Sequence, residues 1–282
     1  MSVLENKIDF VVLVSVSKAN CNGDPLNGNR PRTDYNGFGE ISDVCIKRKI
    51  RNRMQDLGNC IFVQSDERCD DGCKNLDERA KKYMKKELDS KDISLVEKKA
   101  CETWMDVRSF GQVFALKKGT DEKKGVSVGI RGPVSIHQAV SVSPVDIESM
   151  QITKSVNGTD DSGSDTMGMK HFVRFGLYEI KGAVNVQLAE KTGFSQEDAD
   201  VLKECLRTLF VNDASSARPD GSMEVVKVYW WQHNCRDGQY SSAQVHRSLK
   251  IVSKNPEPAS VEDYEIKYEE LEGLEPEIIY GI

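Results

Sequence analysis

The residue types most able to do chemistry gather between Asn20 and Arg53, in NCNGDPLNGNRPRTDYNGFGEISDVCIKRKIRNR. Glycines at 23, 28, 37 and 39 let a backbone approach a ligand closely and present its N–H groups. Arg30, Arg32, Lys47, Arg48 and Arg51 supply cations that could address successive phosphates. Lys47 and Arg51 stand one helical turn apart and so fall on one side of a helix. A solvated basic helix behind an ordinary loop has the same pattern, and charge alone does not separate the two. Asp24 and Asp34 could hold a divalent ion at a phosphate. Beside Pro and Gly, however, aspartates are also ordinary turn residues.

Three further stretches carry candidate groups. In WMDVRSFG, from Trp104 to Gly111, Phe110 near Arg108 could stack on or support a base, or could be a core residue at a strand start. Arg131-Gly132-Pro133 reads as a strand entry or β-bulge from which Arg131 could reach a phosphate. In TMGMKH, from Thr166 to His171, Met167 and Met169 could wedge between bases, pack on a neighbour, or pack on their own segment. Phosphate-loop, dinucleotide, zinc-protease and serine-elbow motifs are missing, and the four histidines (His137, His171, His233, His246) show no metal-ligand spacing. The aromatic signature of a base-stacking RRM is missing too. Cys69 and Cys73, with Cys60 upstream and Cys101 downstream, form one close pair with no second, so free thiols are expected in place of a metal site.

The net charge of −6 seems to oppose nucleic acid, but it is unevenly spread. From Asn255 to Ile282 nine carboxylates face one base, Lys267; that stretch carries −8 and the remainder about +2. A mean hydropathy of −0.50 and the lack of a long apolar run argue against a membrane span. Met1 to Asp9 lacks the pattern of a signal peptide, so the expected compartment is the cytoplasm, with reduced thiols.

Positioning these groups requires a framework. Ile8 to Val16 predicts a central strand buried on both faces, and Ser42 or Asp43 a helix cap. That helix runs to about Leu57, with Ile46, Ile50, Met54 and Leu57 as its apolar face. Cys60–Gln64 reads as a short strand, Lys74–Leu88 and Ser94–Trp104 as helices, and Val107–Leu116 and Val126–Val142 as strands divided by a turn-like KKGTDEKKG. Next come a hairpin excursion over Ile147–His171, a helix over Ser195–Phe210 capped by Ser195 with Asp198, and closing strands Glu224–Gln232 and Val245–Val252. Without the insertions, this order predicts a split βαβ, ferredoxin-like or RRM-like domain.

The ordered motifs resemble a known family. NCNGDPLNGNRPRTD followed by SDVCIKRKIR, then DVRSFG, IRGPVSI and TMGMKH, is similar to the repeated backbone subunit of type I CRISPR Cascade, above all its type I-C form, over most of the chain to about Val252. The resemblance implies an α+β fold: an RRM-like palm (1–64 and 106–254), a helical finger insertion (65–105) and a β-hairpin thumb (147–172), with 255–282 left as an acidic tail. It implies a non-catalytic subunit without cofactor or metal. Copies would stack head to tail along crRNA with other Cascade subunits, each thumb crossing onto its neighbour, leaving the guide free to pair with target DNA. The RNA-binding set would be Asn22, Asn29, Arg30, Arg32, Lys47, Arg48, Arg51, Arg108, Phe110, Arg131, Met167, Met169 and Lys170. Cys21 departs from the family pattern, in which a Pro often holds that place. Two other readings stay open at this point: a metal-dependent endoribonuclease of the type III backbone kind using Asp24 or Asp34, and a stand-alone ligand-binding domain.

Overall fold

The computed structural model describes residues 2–90, 92–116, 126–153 and 167–282. The turn-like 117–125 and the outer part of the hairpin excursion, 154–166, lie outside the described residues.

β1 (Ile8–Ala19) leads into the glycine-rich loop, where β2 (Gly23–Asp24) and β3 (Arg30–Pro31) form a short ladder. β4 (Phe38–Ile41) then precedes helix α1 (Asp43–Asp56). Helices α2 (Leu76–Ser90), α3 (Ile93–Thr103) and the short α4 (Met105–Phe110) come before the paired strands β5 (Gly111–Leu116) and β6 (Val126–Arg131). They are followed by β7 (Val134–Ile136), β8 (Ala139–Pro144), β9 (Ile147–Thr153) and the long β10 (Met167–Val184). The chain continues through α5 (Val186–Thr192), α6 (Gln196–Arg207), β11 (Met223–Gln232), α7 (Ser242–Ser248), β12 (Leu249–Ser253), β13 (Tyr264–Tyr268) and β14 (Glu277–Tyr280).

The result is a mixed α/β fold around one large antiparallel sheet, ordered β14-β11-β1-β10-β8-β4, with β7 and β9 also on β10. β1 lies inside it, and every residue from Ile8 to Val16 is buried. Its side chains alternate between faces. Phe10, Val12 and Val14 pack with Ile46, Ile50 and Met54 of α1 and Leu202 and Leu206 of α6. Val11 and Leu13, on the other face, share a core with Leu177, Tyr229 and Trp231, closed by Val245, Leu249, Tyr264 and Leu274. A third core, apart from both, joins Phe62, Met84, Val96, Trp104, Phe114 and Val128.

Local signals explain the helix starts. Ser42 Oγ accepts from Cys45 N at the head of α1, and Ser195 and Asp198 exchange both bonds of a capping box at α6. Several elements depart from the sequence reading. Residues 60–64 are not a strand, because the Asp106 carboxylate takes the Phe62 and Val63 amides that a sheet would have used (2.7 and 3.1 Å). The strand expected from Val107 begins only at Gly111, since 105–110 wind into α4 and Gly111, at φ +80°, turns the chain out of it. Val126–Val142 divides into three strands. α5, capped by Asn185 on the Leu188 amide, follows β10 directly, and α7 takes the first half of the expected closing strand. The stretch taken as a separate acidic tail is folded: β13 pairs with β12, and β14 forms an edge of the main sheet on β11. Its apolar residues explain this, since Tyr264 and Leu274 are buried on the second face of the sheet.

Candidate nucleic-acid interface

The glycine-rich loop is held by its own polar side chains. Asn20 Nδ2 donates to the Asn29 carbonyl at 2.7 Å, and Asn22 Oδ1 accepts from the Ser42 amide at 2.9 Å, tying the loop to the start of α1. Gly28 and Asn29 both adopt φ +59°, which Gly and Asn tolerate best. Asp24 accepts from the Leu26 amide and pairs with Arg32 at 3.3 Å. Asp34 Oδ1 accepts from the amides of Asn36 and Phe38, both at 2.8 Å. Both carboxylates are therefore engaged in shaping turns. Cys21 is buried beneath the loop, where its thiol meets Tyr178 Oη at 3.8 Å and burial pushes its pKa up to about 11. Arg30 and Arg32 are left half-buried on the loop, and Arg32 Nε is buried without a hydrogen-bond partner among the described residues.

The cations of α1 divide into different roles. Lys47 is half-buried and pairs with Asp43 one turn back at 3.0 Å, an exchangeable surface contact. Arg48 donates to the Val63 carbonyl at 2.7 Å. Burial, and after it the like charge of Arg51, pulls the Arg48 guanidinium below its ordinary pKa, a stress that a bound anion would relieve. Arg51 is tied down: its Nε donates to Asp106 Oδ2 at 3.0 Å, and its guanidinium lies 5.0 Å from the Phe110 ring centre. Lys49 differs from its neighbours on the helix. It is buried, with its ammonium against Asp213 and 5.5 Å from the Phe210 ring centre.

The DVRSFG and IRGP motifs meet across one ladder, in which Gly111 pairs with Arg131. The contact is tight enough that a Cβ on Gly132 would stand 2.3 Å from the Ser109 carbonyl oxygen. Arg131 is exposed and has no carboxylate partner among the described residues. Arg108 grips Asp198 of α6 with two bonds, at 2.9 and 2.6 Å, while Phe110 is partly buried against the main core. Met167, Met169 and Lys170 lie on β10 where it pairs with β9, Met169 opposite Gln151 and Lys170 opposite Met150. Met167 and Met169 are 63% and 56% exposed on one face of this ribbon, and Met150 and Ile152 are exposed on the other. Thr166 lies outside the described residues.

Three residues that organise the site are not apparent from sequence. Asp106 joins Arg51 to the 60–64 segment. Buried Arg79 of α2 holds Asp71 (2.6 and 2.9 Å) and the Phe62 carbonyl (2.9 Å). Arg218, between α6 and β11, bonds Asp213 at 3.2 Å beside Lys49. The only signal available was a charged residue in an apolar setting, as with Asp106 between Met105 and Val107. The four cysteines of the 60–101 region are free thiols, and the described residues form no cluster of three or more metal-ligating side chains. No helix among the described residues is long and apolar enough to cross a membrane.

Comparison with known proteins places this geometry in context. The family model described as CRISPR-associated protein Cas7 matches residues 6–269. A curated CRISPR-associated protein Cas7 from Haloferax volcanii is 26% identical over 219 residues, which cover 72% of this chain and 64% of that protein. The chain thus matches just under two thirds of that relative's length. A chain of a solved CRISPR RNA-guided surveillance complex aligns at TM-score 0.46 and 19% identity, over 80% of this chain and 68% of its own. A second, from such a complex in a pre-nicking state, aligns at TM-score 0.48 and 15% identity, over 85% and 81%.

Proposed function

The chain belongs to the CRISPR-associated Cas7 family, and from that premise we propose that it is the guide-RNA-binding backbone subunit of a cytoplasmic Cascade complex of the type I-C form. Several copies stack head to tail along crRNA, together with other Cascade subunits, and leave the guide open to pair with target DNA. The observation that carries this reading is the extent of the family match, which runs from before β1 through β13 and includes the loop–helix unit.

The strand order β11-β1-β10-β8, with α1 after β1 and α6 after β10, supports an RRM-like palm. The sheet face on which an RRM would stack bases is closed by α7, β12 and β13, which favours a grip from the loop–helix side. The separate core around Trp104 supports a finger over 65–105, and the β9–β10 ladder a thumb over 147–172. Phosphate contacts from Arg30, Arg32, Lys47, Arg48 and Arg131 would hold any guide, because they read no base. Asn22 and Asn29 shape the loop, Arg51 and Arg108 position the helices, and Phe110 seats Arg51. Head-to-tail stacking is a heterologous contact, which need not close and so can follow an RNA of any length. The turn roles of Asp24 and Asp34 favour a subunit without catalysis.

The test is RNA binding by the purified protein across a salt series. Weak sequence preference and a steep loss of affinity with salt are expected; salt-insensitive binding to one short sequence would refute the reading. Replacing Arg30, Arg32 and Lys47 by Gln together should abolish assembly with the fold intact. Arg51 does not belong in that set, since its loss would leave the buried Asp106 unpaired. Periodic Mg²⁺-dependent cleavage of target RNA, lost in Asp24→Ala, would overturn the absence of catalysis.

A further inference from the structure

We infer that Arg218, from the loop between α6 and β11, is an additional backbone-phosphate ligand beside the glycine-rich loop. This assignment rests on the RNA-binding reading above.

The α6–β11 loop is fastened to the strand that leads into the glycine-rich loop. The Asn20 amide donates to the Ala217 carbonyl at 2.9 Å, and the Ser17 amide to the Ser222 carbonyl at 2.8 Å. Arg218 itself is fixed by a tight turn, in which its amide donates to the Ser215 carbonyl at 3.0 Å and Ser215 returns the bond. Its backbone therefore has little freedom, and its side chain is delivered to the start of α1 from more than 160 residues away in sequence.

Only one of its donors is used. Nε bonds Asp213 at 3.2 Å, while Nη1 and Nη2 have no partner among the described residues and the side chain is 28% exposed. A guanidinium held at Nε with its terminal nitrogens open is preset for two-point contact with a phosphate. Asp213 does not neutralise it, because the same carboxylate also serves the buried Lys49. Asp220, two residues on, lines the same cleft as Arg218 and Asp213 but forms no ion pair with Arg218. The glycine-rich loop lies next to it: Asn20, whose amide holds the Ala217 carbonyl, also bonds the Asn29 carbonyl through its side chain at 2.7 Å. A phosphate reaching the glycine-rich loop from this side would therefore meet Arg218, with Lys49 and Asp213 as its support.

The test uses the full chain, an unstructured single-stranded RNA probe and a salt titration. Arg218→Gln keeps a donor for Asp213, so its melting temperature should stay at the wild-type value. Its log–log salt slope should be shallower by about 0.7, the loss of one single-strand phosphate contact. Its affinity at low salt should fall roughly tenfold, as for a charged hydrogen bond. Arg218→Lys should restore the slope but only part of the affinity. An unchanged slope in Arg218→Gln, with Lys47→Glu still weakening RNA binding, would overturn this assignment and leave the general reading standing. If neither variant alters binding, the general reading fails with it. A fall in melting temperature with no change of slope would make Arg218 a support for Asp213 alone.

Discussion

Replacing Asp106 by Ala tests how α1 is joined to the segment at Phe62 and Val63. The side chain is 1% exposed. One oxygen accepts from the Phe62 amide at 2.7 Å; the other accepts from the Val63 amide at 3.1 Å and from Arg51 Nε at 3.0 Å. Alanine leaves all three donors in place with no acceptor. Breaking a buried ion pair from one side costs about 3–5 kcal/mol, because the remaining charge stays desolvated. Arg51 is 14% exposed and lies over Phe110, so it can recover some hydration, and the expected loss is near about 3 kcal/mol. For a chain of this size that corresponds to a fall in Tm on the order of 10 °C. Urea unfolding followed by tryptophan emission is a suitable assay, since Trp104 reports on the core it shares with Phe62. Asp106→Asn, which keeps one acceptor oxygen, should lose less than the alanine variant. A loss below about 1 kcal/mol for Asp106→Ala would refute the reasoning, as would equal losses in both variants.

Three further outcomes follow from named contacts. Hydrogen bonding from the Arg79 guanidinium holds the Asp71 carboxyl well below the usual carboxylate range. Its stabilisation is therefore complete above the unfolded value of about 4 and is lost as pH falls from there toward the folded value. Asp71→Asn should flatten the acid limb of a stability–pH curve, and an identical acid limb in both proteins would contradict this. Gly132→Ala drives a Cβ to 2.3 Å from the Ser109 carbonyl oxygen, backbone against backbone, and should cost about 1–3 kcal/mol in urea unfolding; a neutral result would refute the close approach. Met167→Ser with Met169→Ser should change stability by no more than about 0.5 kcal/mol, since both side chains are exposed, yet should shift RNA-bound protein toward smaller assemblies in size-exclusion chromatography. A large stability loss with unchanged assembly would mean that the ribbon packs only on itself.

Local features were legible wherever a short stretch of chain determines its own structure. The buried strand at Ile8, the Ser42 cap, the Ser195–Asp198 capping box and the burial of Ile46, Ile50 and Met54 on α1 depend on neighbours within a few residues, and they stand as read; Leu57, read as part of that face, is instead exposed at the helix cap. The ordered motifs, being sequence patterns, sufficed to suggest the family that the match over 6–269 supports. Partner choice over long separations was not legible. Nothing between Lys47 and Arg53 distinguishes Lys47, paired at the surface, from Lys49, buried on Asp213, or from Arg51, tied to Asp106. Helical spacing says which residues share a face, whereas the tertiary packing decides which face meets a carboxylate. Residues 60–64 lost their strand for the same reason, since a single buried acid from α4 took their amides. The acidic C-terminal stretch shows the difference most plainly. By composition it is a solvated tail; in the fold, Tyr264 and Leu274 cover the second face of the sheet and β14 extends its edge. Burial of a few apolar side chains outweighs charge that can remain in water, and only the assembled sheet provides the surface on which they are buried.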